Sequence, residues 1–401
     1  MLSAAILLQL LPPNSATNTH TTTSSVYDVL VYGSTPSGII AAVAASRNGA
    51  KTALVSQRKH IGGMCSGGLG QSDVGSCAEE VIGGIPLEFF QRNARRYAVP
   101  QPRAPWNLEP HVAKDVFLTM MNESGIELLP FAEVESVVKN GHRLDSITMV
   151  DGNTYKAVVF IDASYEGDLM ARSGVSYTWG RESRAQYNES GAGSQDINMN
   201  NYGIEYLNPF DDQGNLLPLL NAAPPLYPTG QADRGIQAYN FRLCVTNNAT
   251  IRVPFKQPDG YDPTRWELLR RFWLAWPNST NSHKAAQAAV PSAILGAIPS
   301  SSEARKFDMN NCGYNPIHTD HIGASWDYPE ANYSRRRQIW QDHVDYTRGY
   351  LWFMSSDSSV PPKVRDVLTT EWHCCSHTRD LAISQSMSFT PTQLHSSPMQ
   401  L

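Results

Sequence analysis

Cysteine is scarce in this chain. The six present, Cys65, Cys77, Cys244, Cys312, Cys374 and Cys375, are too few for a disulfide framework over 401 residues, and none stands in a spacing that would hold zinc. Excess positive charge is missing too. Lys and Arg total 32 against 37 Asp and Glu, a formal charge of -5, and no stretch interleaves cations with aromatics, which argues against nucleic acid as a partner. Arg335-Arg336-Arg337 is the one basic run and reads as a solvated helix face. Long apolar runs are lacking as well: Leu2 to Leu11 falls well short of the roughly 20 residues that span a bilayer. No metal, no nucleic acid and no membrane span are therefore expected, and oligomeric state is left open.

The Leu2–Leu11 stretch is similar to a secretory core region, yet no Lys or Arg precedes it and no cleavage site stands out. Residues 1–25 are read as a leader-like or disordered segment, compatible equally with a secreted and a cytoplasmic chain. The triplets at Asn122, Asn188, Asn248, Asn278 and Asn332 suit secretion, but such triplets arise readily by chance. What the chain does have is core-building material, with 41% hydrophobic residues, 17% charged, 28 Gly and 26 Pro. That suffices for two domains, or one large domain with a cap.

Val29–Tyr32 is a short apolar run entering a glycine, the pattern of a strand buried on both faces. Gly33-Ser-Thr-Pro-Ser-Gly38 opens an alanine-rich helix over Ile39–Asn48, closed by Gly49, and Thr52–Val55 is the next strand. A further helix is expected over Pro110–Ser124. Four strand candidates follow, Glu127–Leu129, Val134–Val138, Ile147–Val150 and Val158–Ile161, separated by turns such as Asn140-Gly141 and Asp151-Gly152. Beyond Arg181 the texture becomes rich in Pro, Asn and Gly. One helix there is capped by Asp262 and Pro263 and runs over Arg265–Trp276; a second, aromatic-rich, runs over about Glu330–Met354. From Leu368 no periodicity is visible. The expected fold is α/β: a Rossmann-like dinucleotide domain over 26–180, with a central parallel sheet and a β-hairpin insertion, then an α+β cap over 181–367 and a disordered tail over 368–401.

A strand that breaks at glycine and restarts as a helix aims its first-turn N–H groups and its dipole at one spot, a seat for a diphosphate. Gly33 permits the turn and Gly38 lets the helix close on the strand, while Thr35-Pro36 stands where the usual middle glycine would be. His60–Gly70 (HIGGMCSGGLG) follows the second strand with glycines and serines that admit a flat, extended ligand, and its Gly62-Gly63 doublet favours FAD over a nicotinamide cofactor. Val158–Ser164, a buried strand ending in Asp-Ala-Ser, fits the strand that completes the domain.

These stretches resemble the FAD-dependent oxidoreductase family whose members open with a YGGTPAG-like turn, some of them labelled xanthan-lyase-like. The matching segments are YGSTPSG at Tyr32–Gly38, HIGGMCSGGLG at His60–Gly70, the segment from Phe160 to Arg184, YNFRLC at Tyr239–Cys244, KFDMNN at Lys306–Asn311 and TDHIGASWDYPEA at Thr319–Ala331. The likeness covers roughly Tyr27 to Asp366. It implies a glutathione-reductase-type FAD domain, a capping substrate region and redox chemistry at the flavin. Two departures stand out. Ser56-Gln57, followed by Arg58 and Lys59, replaces the acidic residue that usually bonds the adenosine ribose. The resembling family also continues past the point where this chain stops matching, so the tail is expected to be a different terminus, with Cys374-Cys375 incidental.

The candidate cofactor residues are Gly33, Thr35, Pro36, Ser37, Gly38, Ser56, Gln57, Gly62, Gly63, Met64, Ser66, Gly67, Val134, Asp162 and Ala163. Arg242 could fix an anionic or polyhydroxylated substrate through its fork geometry, and Asp308, Asn310 and Asn311 suit sugar-like hydroxyls. His318 and Asp320, with His321 beside them, could hold a base, and Arg242 joins them as a catalytic candidate. Cys65 reads as a small buried thiol. The function expected is electron transfer between FAD and a small polar or carbohydrate-like substrate. Two alternatives stand beside it: a truncated, non-catalytic flavin-fold protein, and an NADP-dependent reductase using Arg58 and Lys59.

Overall fold

The computed structural model describes residues 26–70, 78–97, 106, 108–194, 207–220, 228–275, 295–297, 306–309, 317–366, 368–369, 373–375 and 389–391. Asn310, Asn311 and the leader-like segment lie outside them. Strand β1 (Val26–Tyr32) pairs in parallel with β2 (Thr52–Val55) and with β6 (Thr154–Asp162). β3 (Glu127–Leu129) extends the parallel sheet beyond β2, while β4 (Val134–Asn140), β5 (Arg143–Met149) and β6 form an antiparallel meander, giving the order β3-β2-β1-β6-β5-β4. The meander turns pass through Gly141 and Gly152, at φ +60° and +86°, where a side chain would be strained. This is the mixed α/β, Rossmann-like fold expected for an FAD domain.

Helix α1 (Pro36–Arg47) covers one face of this sheet, burying Gly38, Ile39, Ala42 and Val43 at helical spacing. Short α2 (Gly63–Ser66) and α3 (Ala78–Val81) lead to α4 (Gly84–Arg96), an amphipathic helix that was not among those expected. Its Phe89 ring stacks on Phe117 of α5 (Pro110–Glu123) with centroids 4.0 Å apart. Together with Val31, Ile39, Leu54 and Met120 these rings make one core. Tyr27, Leu30, Tyr32, Val134, Ile147 and Met149 make another on the opposite face. One expectation fails here: Val158 and Val159, read as part of a buried strand, are 57% and 48% exposed. β6 alternates in cover along its length: Ala157 is buried and Phe160–Asp162 are half-buried, while Lys156, Val158 and Val159 face outward between β1 and β5.

After α6 (Asp168–Arg172) and α7 (Arg184–Tyr187) the cap begins. Strands β7 (Tyr239–Phe241), β8 (Leu243–Thr246), β9 (Arg252–Val253), β10 (Leu295–Ala297), β11 (Lys306–Met309), β12 (His373–Cys375) and β13 (Phe389–Pro391) build two small sheets, β10-β11-β8-β12-β9 and β13-β7. The segment beyond Leu368, expected to be a disordered tail, thus supplies two strands. Cys374 pairs with Val245 and Val253, so the cysteine pair belongs to the cap sheet's hydrogen-bonded ladder.

Asp262 caps its helix through Thr264 N–H as expected, but the first turn, Pro263–Trp266, is 3₁₀ before α8 (Glu267–Ala275) begins. A long helix, Tyr333–Ser356, is capped by Asn332 and buries Tyr346, Tyr350 and Phe353 against Trp266. Trp340 and Trp352 on the same helix are half-buried.

The two domains are joined by buried polar contacts. Arg336 of the long helix donates to Asp168 Oδ2 at 2.7 Å, to the Tyr328 carbonyl at 2.9 Å and to the Pro329 carbonyl at 2.7 Å. The middle member of the run read as a solvated face is therefore an internal bolt, while Arg335 and Arg337 stay exposed. The Tyr333 hydroxyl donates to the Val134 carbonyl at 2.6 Å. No helix among the described residues is long and apolar enough to cross a membrane.

Candidate cofactor site

The turn after β1 is built by close backbone approach. Gly33 stands at φ +108°, its N–H bonds the Val55 carbonyl at 2.9 Å, and a Cβ there would fall 2.6 Å from Ser164 N. A Cβ on Gly38 would fall 2.0 Å from the Gly33 carbonyl oxygen, so helix and turn can meet only at glycine. The threonine in place of the middle glycine turns its side chain inward. The Thr35 hydroxyl donates to the Ala163 carbonyl at 2.6 Å and accepts the Gly38 N–H at 3.2 Å, capping α1 and tying it to β6. Thr35 is buried, Ser37 is exposed, and the first turn of α1 carries no acidic residue, so no side-chain charge offsets the positive end of the helix.

The second glycine segment reaches the same place. The Gly62 N–H bonds the Ser34 carbonyl at 2.9 Å, and a Cβ on Gly63 would sit 3.0 Å from Pro36 Cδ and 2.3 Å from the Tyr165 hydroxyl. Gly62 also faces Phe117 of α5 at 2.7 Å from where its Cβ would be. Ser66 is buried; its hydroxyl donates to the Ile61 carbonyl at 2.5 Å and lies 3.0 Å from His60 Nε2, which places the His60 proton on Nε2. The Gly67 N–H closes α2 on the Met64 carbonyl at 3.3 Å. Burial, followed by the charge of Lys114, pushes His60 down to about 4, so the ring is neutral. Burial pushes the Cys65 thiol up to about 11, the behaviour of an inert small hydrophobe.

Gly33, Ser37, Gly38, Gly62, Gly63 and Met64 are thus brought together at one corner of the sheet. The donor set, an uncompensated helix end flanked by glycines that admit no side chain, fits the diphosphate of an adenine dinucleotide.

At three expected positions the polar groups are already engaged within the protein. Ser56 is fully buried: its hydroxyl shares a 2.7 Å hydrogen bond with Ser34 Oγ and donates to the Arg58 carbonyl, so it fixes the strand end. Asp162 spends both carboxylate oxygens on its own turn. Oδ1 accepts from Ser164 N–H and hydroxyl at 2.9 and 2.7 Å, and Oδ2 accepts from Met170 N–H at 2.8 Å. Val134 is buried with its N–H bonded to Tyr32 Oη at 3.1 Å and its carbonyl to Tyr333, so neither backbone group is open. Gln57 donates to the same Tyr32 hydroxyl at 2.9 Å. Arg58, invoked for a 2′-phosphate, instead reaches the Tyr328 hydroxyl at 3.3 Å.

Tyr165 was missed. Its hydroxyl accepts the Met64 N–H at 2.8 Å while part of the ring remains exposed beside the glycine doublet. Its place directly after Asp-Ala-Ser, where β6 meets the turn, was the available signal.

Of the substrate and acid–base candidates, Arg242 meets the glycine segment: a Cβ on Gly68 would lie 2.0 Å from the Arg242 carbonyl oxygen. Asp308 pairs in register with Cys244 across β11 and β8. His318 and Asp320 are buried in the cap; Asp320 Oδ1 accepts from Asn240 Nδ2 at 2.7 Å, its N–H donates to His318 Nδ1 at 3.2 Å, and the Tyr346 hydroxyl donates to the His318 carbonyl at 2.5 Å. Burial pushes His318 down, partly offset by Asp320. His321 stacks on Tyr346 at 4.1 Å and bonds Asp342 at 2.9 Å, with Arg265 on the same carboxylate at 2.8 Å. These contacts tie residues 318–321 to both β7 and the long helix.

Burial pushes His343, in the same cluster, down to about 4. The folded chain holds this ring and His60 neutral, whereas the unfolded chain protonates them near pH 6.5. The stability they confer is therefore complete above that pH and is lost as pH falls toward 4. A His343→Phe variant should show a smaller drop in melting temperature between pH 6.5 and 4 than the parent; an equal drop would place the acid sensitivity elsewhere.

The sheet, the capped turn and the glycine segment together define an FAD-binding Rossmann-like domain under a cap. The family model described as FAD dependent oxidoreductase matches residues 28–386. The chain belongs to this family, and FAD is its cofactor. The match runs past Asp366, where the sequence likeness had been expected to stop. Among curated proteins none matches. Solved structures similar to it include GidA of Aquifex aeolicus, at 25% identity over 34% of this chain and 24% of that one, with a TM-score of 0.27. L-proline dehydrogenase of P. horikoshii is 14% identical over 40% of this chain and 59% of that one, TM-score 0.31. Thioredoxin reductase of Streptococcus pyogenes is 17% identical over 35% of this chain and 36% of that one, TM-score 0.24. The chain spans less than two thirds of the length of each.

Proposed function

We propose that this chain is an active oxidoreductase that exchanges electrons between FAD and a small polar substrate seated between the dinucleotide domain and the cap. The observation that supports the reading is the meeting of the α1 end with the Gly62-Gly63 segment, a glycine-rich corner suited to a diphosphate. Bound FAD supplies two-electron chemistry at its ring system. The chain's own part is to hold and shield it. Ser37 and Gly38 begin the helix whose end faces the diphosphate, and Thr35 locks that helix to β6. Gly62–Gly67 run alongside, and Arg242, at the contact of this segment with the cap sheet, is suited to orient an oxygen-bearing substrate.

The purified protein should be yellow and keep its flavin absorbance through gel filtration. A colourless, well-folded preparation that takes up no FAD on reconstitution would defeat the proposal.

A further inference from the structure

The end of β2 lacks the acidic residue that takes the adenosine ribose in folds of this kind. Ser56 is buried and bonded there, and Gln57 donates to the Tyr32 hydroxyl at 2.9 Å. An acid from another element stands close by. Glu166 lies two residues past Ser164, on the turn that follows β6, and the charge of Arg58, next after Gln57, acts on its carboxylate. Its neighbour Tyr165 accepts the Met64 N–H at 2.8 Å and lies against Gly63, whose own Cβ would meet Pro36 at 3.0 Å. Glu166 therefore adjoins the diphosphate corner on one side and the end of the second strand on the other, the interval in which an adenosine ribose is held.

The carboxylate is also without a partner. Asp162 takes three donors from its own turn, Asp168 holds Arg336 at 2.7 Å, and Glu330 accepts the Tyr177 hydroxyl at 3.0 Å. Among the described residues, by contrast, no other residue donates a hydrogen bond to the half-buried Glu166 side chain. Burial raises its pKa above the usual carboxyl value, Arg336 and Arg58 act against this, and Asp168 adds to it. On the cap side, Tyr239 and Tyr328 meet edge to face at 5.5 Å, and burial followed by the Glu166 charge raises both hydroxyls. Tyr328 also takes Arg58 Nη2 at 3.3 Å, which keeps that cation in the cluster. An ionised carboxylate only accepts, so what completes it must bring hydroxyl or N–H donors.

We infer that Glu166 stands in for the missing strand-end acid: its carboxylate accepts the adenosine ribose hydroxyls of FAD and, by its charge, refuses a ribose 2′-phosphate. The inference rests on the FAD reading above. Arg58 alone would suit a 2′-phosphate; a carboxylate beside it offsets that attraction and leaves the position to a hydroxyl donor. Quenching of flavin fluorescence on titrating apoprotein with FAD gives the affinity without a substrate. Glu166→Gln should weaken FAD at least tenfold, the loss expected for a hydrogen bond to a charged group. ADP-ribose and 2′-phospho-ADP-ribose, used as competitors, differ only at the ribose position in question. The parent should prefer ADP-ribose at least tenfold, Glu166→Gln should lose most of that preference, and Arg58→Gln should strengthen it. Opposite movements of this ratio are the signature, since damage to the fold lowers both affinities together. If Glu166→Gln does not fold, the ratio in Arg58→Gln decides, and one that stays or falls overturns the inference. So does a Glu166→Gln protein that keeps the parental ratio, whether or not FAD binding weakens. A parent protein that takes up no FAD overturns the earlier reading as well.

Discussion

Gly38→Val is expected to yield a protein without flavin. The added Cβ would stand 2.0 Å from the Gly33 carbonyl oxygen, a backbone atom of the diphosphate turn, and there is no flexible side chain to yield. Overpacking in a built interior costs about 1–3 kcal/mol, and here relief comes by pushing the turn off β6, the movement that spoils the seat. The visible absorbance after FAD reconstitution and desalting measures it. Gly191→Ala, where a Cβ meets open space, should retain FAD like the parent. A yellow Gly38→Val protein with parental affinity would mean the dinucleotide sits elsewhere.

Arg336→Met should be the most destabilising single change at the domain junction. The guanidinium serves Asp168 and two carbonyls at once, its side chain is only 9% exposed, and it lies over the Tyr328 and Tyr333 rings at 5.3 and 5.8 Å. Deleting it leaves a buried carboxylate without its partner, a loss of about 3–5 kcal/mol. In a chain of this size that lowers the melting temperature by about 4–6 °C. Arg336→Lys keeps the charge but not the planar fork and should fall between. A Met variant melting with the parent would show the junction to be held by its apolar contacts.

The nucleotide half of the fold was largely legible in the sequence because its signals are local. Strand, glycine turn, alanine-rich helix and the two meander glycines each announce themselves within a few residues, and all are found. What could not be read is what distant partners decide. Ser56, Asp162 and Val134 occupy positions that suit a ligand, yet Ser34, the Ser164–Met170 turn and the two tyrosines Tyr32 and Tyr333 claim their polar groups first. Thr35 was legible as a departure but not as a compensation, since its acceptor, Ala163, lies at the end of β6. Arg336 sat inside a run whose neighbours are solvated, and nothing in its spacing separates bolt from surface. Lys306 was within a quoted motif, and the alternation Lys-Phe-Asp-Met opposite Leu-Cys-Val-Thr marks it as sharing a face with Cys244 and Thr246. Its ion-pair partner Glu109, 3.0 Å away, belongs to another domain.

The segment Gly62–Gly70 has two neighbours at once: Ser34 and Pro36 at its beginning, and Arg242 near its end. Whatever steadies it for one neighbour steadies it for the other, so cofactor uptake and docking of the cap are reciprocal events. The apoprotein should accordingly hinge open and admit a protease at the junction, and added FAD should close it again.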